Sequence, residues 1–450
     1  ARCRHAELGD GIMGLAMGKV VELEAPRKES AAARSRRGRR PRSKTALVLG
    51  GGGFTGGVYH VGALRALDLL AVNRTVNQFD VYVGTSAGAF MASMLANGIT
   101  PEEMMRVLNH ELPSPMRDIS LSTLLQPNYR GFLRKSLTFP LRVAGVAREL
   151  VTHLNELSAV DVVTGLASGL PSGVYSGKGI ERYVETVLSD PDRTNDFRLL
   201  EPELYLTGTD LDTTERVVFG EGEWADVPIS AAVAASGALP MIYQPVEING
   251  REFIDGGIRS TTNVDVAVEH GAKFIIVINP LVPYVNDFRK RIPTIVGTRA
   301  RRVSDMGFTA IGNQAFRVLS HERLHLAVQY WEQRYPGVDI ILIEPELDDE
   351  IMFGTSILDY SARLEIAKHG FESVTLRLAR DYDRYKSICE RHGIKISARR
   401  VRHVLEQVEK EEEKLSAWRR ILEQTTAALL RQSAAGSEEP ASAAESEESG

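Results

Sequence analysis

Short apolar runs alternate with stretches of helical spacing along this chain, and the first half reads as strand, glycine loop, helix, strand, helix. Thr45 to Leu49 reads as a short apolar strand. Gly50 to Gly57 follows and is almost all glycine, and the pattern then predicts a helix from about Val58 to Val72. Phe79 to Val83 is a second apolar strand. It leads through Gly84-Thr85-Ser86-Ala87-Gly88 into a small-residue helix, Ala87 to Ala96, with another helix at Pro101 to His110. This order predicts an α/β sheet protein.

Further along, Gly179 to Leu188 has helical spacing, and Glu203 to Thr209 and Glu215 to Phe219 read as strands joined by the polar turn Asp210 to Thr214. Ser230 to Ser236 is a short helix ended by Gly237 and Pro240. Val246 to Asn249 and Arg251 to Ile254 form a hairpin-like pair around Gly250, closed by Asp255-Gly256-Gly257. A helix near Val264 to His270 precedes the apolar strand Lys273 to Asn279, and Val338 to Ile343 is the last sheet candidate. Helices are predicted over Ile295 to Tyr330 and Ser356 to Glu390.

Two segments break this rhythm. In Leu124 to Leu154, Arg130, Arg134, Lys135, Arg142 and Arg148 are interleaved with apolar residues at helical spacing. Such a segment fits a lid that meets a lipid surface, as a peripheral membrane contact through 124–154, or a cap helix packed on the core; the plain cap is favoured. Val401, Val408, Leu415, Leu422 and Leu429 recur every seven residues, with Glu411 and Thr425 breaking the companion positions. That long amphipathic helix fits a homodimer through 401–429 or a fold back onto the domain.

Composition is that of a globular protein: 450 residues, 43% hydrophobic and 25% charged, enough chain for a sizeable core. The net charge of −5 hides an asymmetry between the Arg-rich stretch at 27–44 and the Glu-rich tail from Ser437. Residues 1–44 read as a disordered basic arm. Its arginine cluster suits nucleic acid, anionic lipid or plain solvation; solvation is favoured, and nucleic acid is not the expected partner. Two widely separated cysteines, Cys3 and Cys389, suggest no disulfide framework. With no long apolar span and no convincing signal peptide, the expectation is a cytoplasmic protein whose membrane contact, if any, is peripheral. Expected boundaries are 1–44 for the arm, 45–285 for a catalytic domain, 286–397 for a helical and α/β extension packed on it, 398–432 for the amphipathic helix and 433–450 for an acidic tail.

The chemistry converges on Ser86. A strand ending in Gly-x-Ser-x-Gly and opening a helix is the setting of a nucleophile elbow, with Gly84 and Gly88 leaving room for the turn. The glycine run supports three readings. A P-loop needs a lysine that Gly56-Gly57-Val58 lacks. A dinucleotide fingerprint needs an acidic residue at the end of the second strand, where Gly84-Thr85-Ser86 stands instead. An oxyanion hole, with amides of Gly51, Gly52 and Gly53 facing a tetrahedral intermediate, explains why a serine elbow follows and is favoured.

A serine nucleophile needs a base. His60 and His270 carry no special context and read as structural histidines. Asp255, after an apolar strand and before Gly256 and Gly257, is the better candidate, since partial burial raises a carboxyl toward useful basicity. His321-Glu322-Arg323-Leu324-His325 matches a zinc-binding spacing, but sequence places no convincing third ligand: Glu332 is near, Glu344 and Glu346 farther. A surface helix is the favoured reading there, and no metal or other cofactor is expected.

Together, Gly51-Gly52-Gly53-Phe54-Thr55-Gly56, Gly84-Thr85-Ser86-Ala87-Gly88 and Asp255-Gly256-Gly257 resemble the patatin-like phospholipase family over about residues 45–285. Thr209-Asp210-Leu211-Asp212-Thr213 and Ala235-Ser236-Gly237-Ala238-Leu239-Pro240 also look like family landmarks. The resemblance implies a three-layer α/β/α sheet with a helical cap and a C-terminal helical extension. It implies a Ser86–Asp255 dyad without histidine, acting on fatty-acyl esters of lipids, with Gly51 to Gly53 stabilising the oxyanion. Two departures stand out. Thr55 occupies the family's Arg or Lys position, and Asn263-Val264-Asp265 replaces Asn-x-Pro. Thr55 keeps a second expectation open, a catalytically weak lipid-binding or scaffolding member of the same fold.

Overall fold

The computed structural model describes residues 43–110, 122, 125–129, 131, 133, 171–287, 292–293, 299–354, 360–404, 406 and 410. The expected arm up to residue 42, most of the 124–154 segment, most of the 401–429 heptad helix and the acidic tail lie outside the described residues.

The chain opens with β1 (Thr45–Leu49), α1 (Gly53–Leu70), β2 (Val81–Thr85), α2 (Ala87–Ala96) and α3 (Pro101–Leu108). Short strands β3 (Gln126–Pro127) and β4 (Gly173–Ser176) precede α4 (Lys178–Leu188). The hairpin β5 (Glu203–Asp210) and β6 (Arg216–Phe219) leads to α5 (Ile229–Ser236) and β7 (Met241–Tyr243). Then come β8 (Val246–Ile248), β9 (Arg251–Asp255), α6 (Val264–Glu269), β10 (Phe274–Ile278), β11 (Ile292–Pro293) and β12 (Arg299–Ala300). The remainder is α7 (Phe308–Arg334), β13 (Asp339–Ile343), α8 (Glu350–Gly354), α9 (Arg363–Arg380) and α10 (Tyr382–Arg391).

Eight strands form one mixed sheet in the order β13-β10-β1-β2-β5-β9-β8, with β6 also on β5. The run from β13 to β5 is parallel, and β6, β9 and β8 pair antiparallel. Parallel strands are covered on both faces, which is why β10 is the unbroken apolar run Phe274-Ile275-Ile276-Val277-Ile278, buried at every position. Alternate residues then feed two cores. Leu47, Leu49, Tyr82, Phe274, Ile276 and Ile278 pack with α1, α2 and α9. Ala46, Val48, Val81, Val83, Ile275 and Val277 pack with α6 and with Leu324 and Trp331 of α7. The result is three layers, helices on each side of the sheet.

Several boundaries differ from the pattern-based expectation. α1 begins at Gly53, not Val58, so half of the glycine stretch is the first helical turn, closed by Gly56 N donating to Gly52 O at 3.0 Å. Glycine disfavours helix, but packing overrides that local preference. The predicted helix at 295–330 starts only at Phe308, after Gly307 with φ 89°. The predicted 356–390 helix is two helices that part at Asp381. The β8–β9 turn is Asn249-Gly250, both at positive φ (52° and 77°), the two-residue geometry whose twist matches a hairpin. Residues 286–397, expected as a packed extension, contribute β13 to the main sheet and α9 against α1. The small β3-β4-β7 sheet had no signal in the pattern.

Because Phe274 is fully buried in the core under α1 and α9, Phe274→Ala is expected to cost about 3–5 kcal/mol. Chemical unfolding of the variant against the parent chain measures this.

Candidate active site

β2 ends at Thr85 and α2 begins at Ala87, so Ser86 alone makes the turn between them. It does so at φ 57° and ψ −123°, a conformation a non-glycine residue holds only when its surroundings over-determine it. Two close backbone approaches do so. A Cβ on Gly88 would stand 2.0 Å from Leu49 O, and one on Gly84 would stand 2.5 Å from Ala89 Cα. Both flanking glycines are therefore steric requirements of the turn. The free amide end of α2 lies beside the Ser86 hydroxyl, in an orientation that favours negative charge.

Asp255 reaches Ser86 through the register of β5. β2 pairs with Glu203 to Thr207, whereas β9 pairs with Gly208 to Asp210. β6 pairs with Leu206 to Thr209 and so overlaps both. A strand residue has one partner per edge, so β6 occupies one edge of β5 and β2 and β9 share the other, running toward each other. Their ends meet where Thr207 gives way to Gly208. There Ser86 Oγ donates to Asp255 Oδ2 at 2.5 Å, while Gly257 N donates to Asp255 Oδ1 at 2.7 Å. Gly256 continues from the strand end against Thr207.

Residues of the two family-like stretches Thr209–Thr213 and Ala235–Pro240, together with Asn263 and two arginines, hold this junction. Ser236, the last residue of α5, accepts from Ser86 N at 2.8 Å and donates to Thr207 O at 2.6 Å. Ala238 O accepts from Asp255 N at 3.0 Å. Asp210 accepts from the amides of Asp212 and Thr213 and from Arg251 Nε at 2.6 Å, which ties the start of β9 to the β5–β6 turn. Asn263 Nδ2 donates to Thr85 Oγ1 at 2.9 Å and Thr207 Oγ1 at 3.1 Å, and those two hydroxyls bond each other at 2.8 Å. Arg216 holds Asn263 Oδ1 and pairs with Asp265 at 2.6 Å, so the aspartate at the Asn-x-Pro departure has its own partner.

Gly51, Gly52 and Gly53 line one cavity with Ser86 and Asp255. A Cβ on Gly51 would lie 3.8 Å from Ser86 Oγ. Gly50 N is taken by Ile278 O and the first α1 bond starts at Gly56, and no backbone acceptor among the described residues takes the amides of Gly51 to Gly53. The cavity measures about 190 Å³ and is mainly apolar, with Phe90, Met91, Met104, Val107, Leu108 and Val233 in its wall.

The two histidines stand outside the Ser86–Asp255 contact. His60 is fully buried, bonded through Nε2 to Gly50 O at 2.9 Å, and burial lowers its pKa to about 4. It braces the glycine loop from behind as a neutral ring. His270 bonds Val266 O and Glu221 and stacks on Tyr205. Thr55 is also buried, its hydroxyl donating to Gly52 O at 3.4 Å, so it bonds the loop internally.

Residues 47–268 match the family model of patatin-like phospholipases. The probable lipid hydrolase 463L of Invertebrate iridescent virus 6 is 22% identical over 240 residues, which are 52% of this chain and 67% of that protein. Solved structures match as well, among them these two. VipD from Legionella pneumophila matches at 15% identity and a TM-score of 0.34, over 75% of this chain and 66% of that one. The type III effector ExoU, of Pseudomonas aeruginosa, matches at 14% identity and a TM-score of 0.27, over 76% of this chain and 53% of that one. The chain thus spans less than two thirds of either structure. No helix among the described residues is long and apolar enough to cross a membrane.

Burial pushes the Asp255 carboxyl up to about 6, against hydrogen bonds from Ser86 and Gly257 that favour its charged form. In the unfolded chain it titrates near 3.9. Between these values the folded state keeps a proton that the unfolded chain has lost, so this group's contribution to stability falls as pH rises from about 4 to about 6 and is level above. Asp255→Asn removes that cost while keeping an acceptor for Gly257. Its thermal midpoint is expected above that of the parent at pH 8, by the equivalent of about 1–3 kcal/mol, with the gain gone near pH 4. Thermal unfolding of both chains at the two pH values tests this.

Proposed function

With residues 47–268 a patatin-like phospholipase domain as the premise, we propose that this chain is a lipid acyl hydrolase in which Ser86 is the nucleophile and Asp255 the base. The observation that carries the proposal is the Ser86 Oγ to Asp255 Oδ2 hydrogen bond of 2.5 Å at an apolar cavity edged by the glycine loop.

Ser86 Oγ attacks the carbonyl carbon of a fatty-acyl ester as Asp255 takes its proton. A carboxylate raised to about 6 is a better proton acceptor than an exposed one and is still ionised at neutral pH. The carbonyl oxygen becomes an oxyanion and takes hydrogen bonds from the Gly51 to Gly53 amides. Collapse expels the alcohol, which leaves with the proton held by Asp255, and the acyl group stays on Ser86. Water then attacks the acyl-serine with Asp255 again as base, releasing the fatty acid and restoring the hydroxyl. The apolar wall suits the acyl chain. Thr55 is buried and bonded to Gly52 O, so it offers the lipid no charge at the position where other members carry Arg or Lys.

That same departure supports a second reading, a catalytically weak lipid-binding member. A fluorophosphonate probe distinguishes the two. The intact chain is expected to label at Ser86, Ser86→Ala not at all, and Asp255→Asn at least about 10²-fold more slowly. Absence of labelling on the intact folded chain rejects the hydrolase in favour of the binding member.

The pH profile carries a separate expectation. For hydrolysis of phospholipid, lysophospholipid and short acyl-ester substrates, kcat/KM should rise through about pH 6 as Asp255 ionises and then level off. A rise centred near pH 7.5 would assign the base to another group.

A further inference from the structure

Outside this site, one cluster of side chains has no part in the chemistry above. His321 and His325 stand one turn apart on the same face of α7, with ring centroids 4.0 Å apart. Glu344, the residue after β13, is brought to them by the parallel pairing of β13 with β10. Its Oε2 lies 3.0 Å from His325 Nε2, and one donor atom from each of the three residues lies within 4.8 Å of the others. In the sequence, Glu332 is nearer to the motif than Glu344. The sheet selects Glu344.

We propose that His321, His325 and Glu344 hold a divalent cation of the zinc class, which clamps α7 to the end of β13.

Three features support this. The donor set is two imidazole nitrogens and one carboxylate, the mixture that suits zinc, cobalt or nickel and not calcium or magnesium. The carboxylate is buried, with Glu344 only 8% exposed, and its other oxygen accepts from Asn279 Nδ2 at 2.8 Å. Asn279, the residue after β10, is itself wholly buried and donates through its backbone N to Ile343 O, the last residue of β13. A carboxylate oriented by an outer hydrogen bond is how metal ligands are usually held. Both histidines are partly exposed, so their rings have room to close on an ion about 2.0–2.1 Å from each nitrogen, and solvent can supply the remaining position.

The clamp would act on a helix that borders the active site. Asn313 and Phe316 of α7 line the Ser86 cavity. Arg323, between the two histidines, donates through Nη1 to Ile258 O at 2.7 Å, in the turn that follows Asp255. Fixing His321 and His325 to Glu344 therefore fixes the cavity wall and the back of the Asp255 turn together.

The test uses the full chain, stripped with a chelator and titrated with zinc against a chromophoric competitor, with bound metal counted by elemental mass spectrometry. One zinc per chain is expected, together with a thermal midpoint that rises with free zinc. His321→Ala and Glu344→Gln should each weaken binding by at least about tenfold, whereas calcium and magnesium should not compete. His321→Ala leaves the Glu344 contacts to Asn279 and His325 in place, so it decides the matter if Glu344→Gln fails to fold. No stoichiometric zinc on the folded parent chain, or unchanged binding in folded His321→Ala, overturns the proposal.

Discussion

One edge of β5 serves two strands that run toward each other. β2 takes the first five residues of that edge and β9 the last three. A strand edge offers one set of backbone donors and acceptors, so neither strand can extend without displacing the other. The place where both stop is where the parallel and antiparallel parts of the sheet join. The residues at the two ends, Ser86 and Asp255, are brought into hydrogen-bond contact although they lie far apart in the chain. The serine's orientation is a local matter of the strand-to-helix turn, while its partner is a matter of sheet register.

This junction concentrates unfavourable features. Ser86 sits at positive φ, Asp255 is a buried carboxyl, and the neighbouring glycine amides lack backbone acceptors among the described residues. Each costs free energy in the resting fold. They persist because the surroundings leave no easy relaxation. Ser236 holds the Ser86 amide and the Thr207 carbonyl, Asn263 grips the two threonine hydroxyls beneath, and Arg251 fixes the start of β9 to Asp210. The apolar layers on both faces of the sheet offset the cost.

α7 extends this organisation beyond the part of the chain that carries the motifs. Leu324 and Trp331 bury it in the second core, and the buried Arg317 donates to Val282 O and Met352 O, joining the segment after β10 to α8. Burial lowers the Arg317 pKa to about 10, so the guanidinium remains charged at neutral pH while serving as a carbonyl cross-link. The segment after residue 285 is therefore integral to the architecture around the cavity, through β13 in the sheet and α7 in its wall.

Sequence by itself determined the local parts. The largely apolar runs of β1 and β2 and the unbroken one of β10 are legible because a strand buried on both faces tolerates little else, and Gly84, Ser86 and Gly88 are legible because the turn's sterics demand those sizes. Asp255 was legible as an acidic turn of the right type. Long-range placement decided the rest. Helical propensity misplaced the start of α1, because Gly53 to Gly57 become helical only when packed. Ser236 and Asn263 carried no signal of their roles, since a hydroxyl or amide has meaning only through the partner it meets. Glu344 stood farther along the chain than Glu332 and yet is the carboxylate that reaches the two histidines. Periodicity and sterics are properties of neighbours in sequence, whereas register between strands decides which distant side chains share a site.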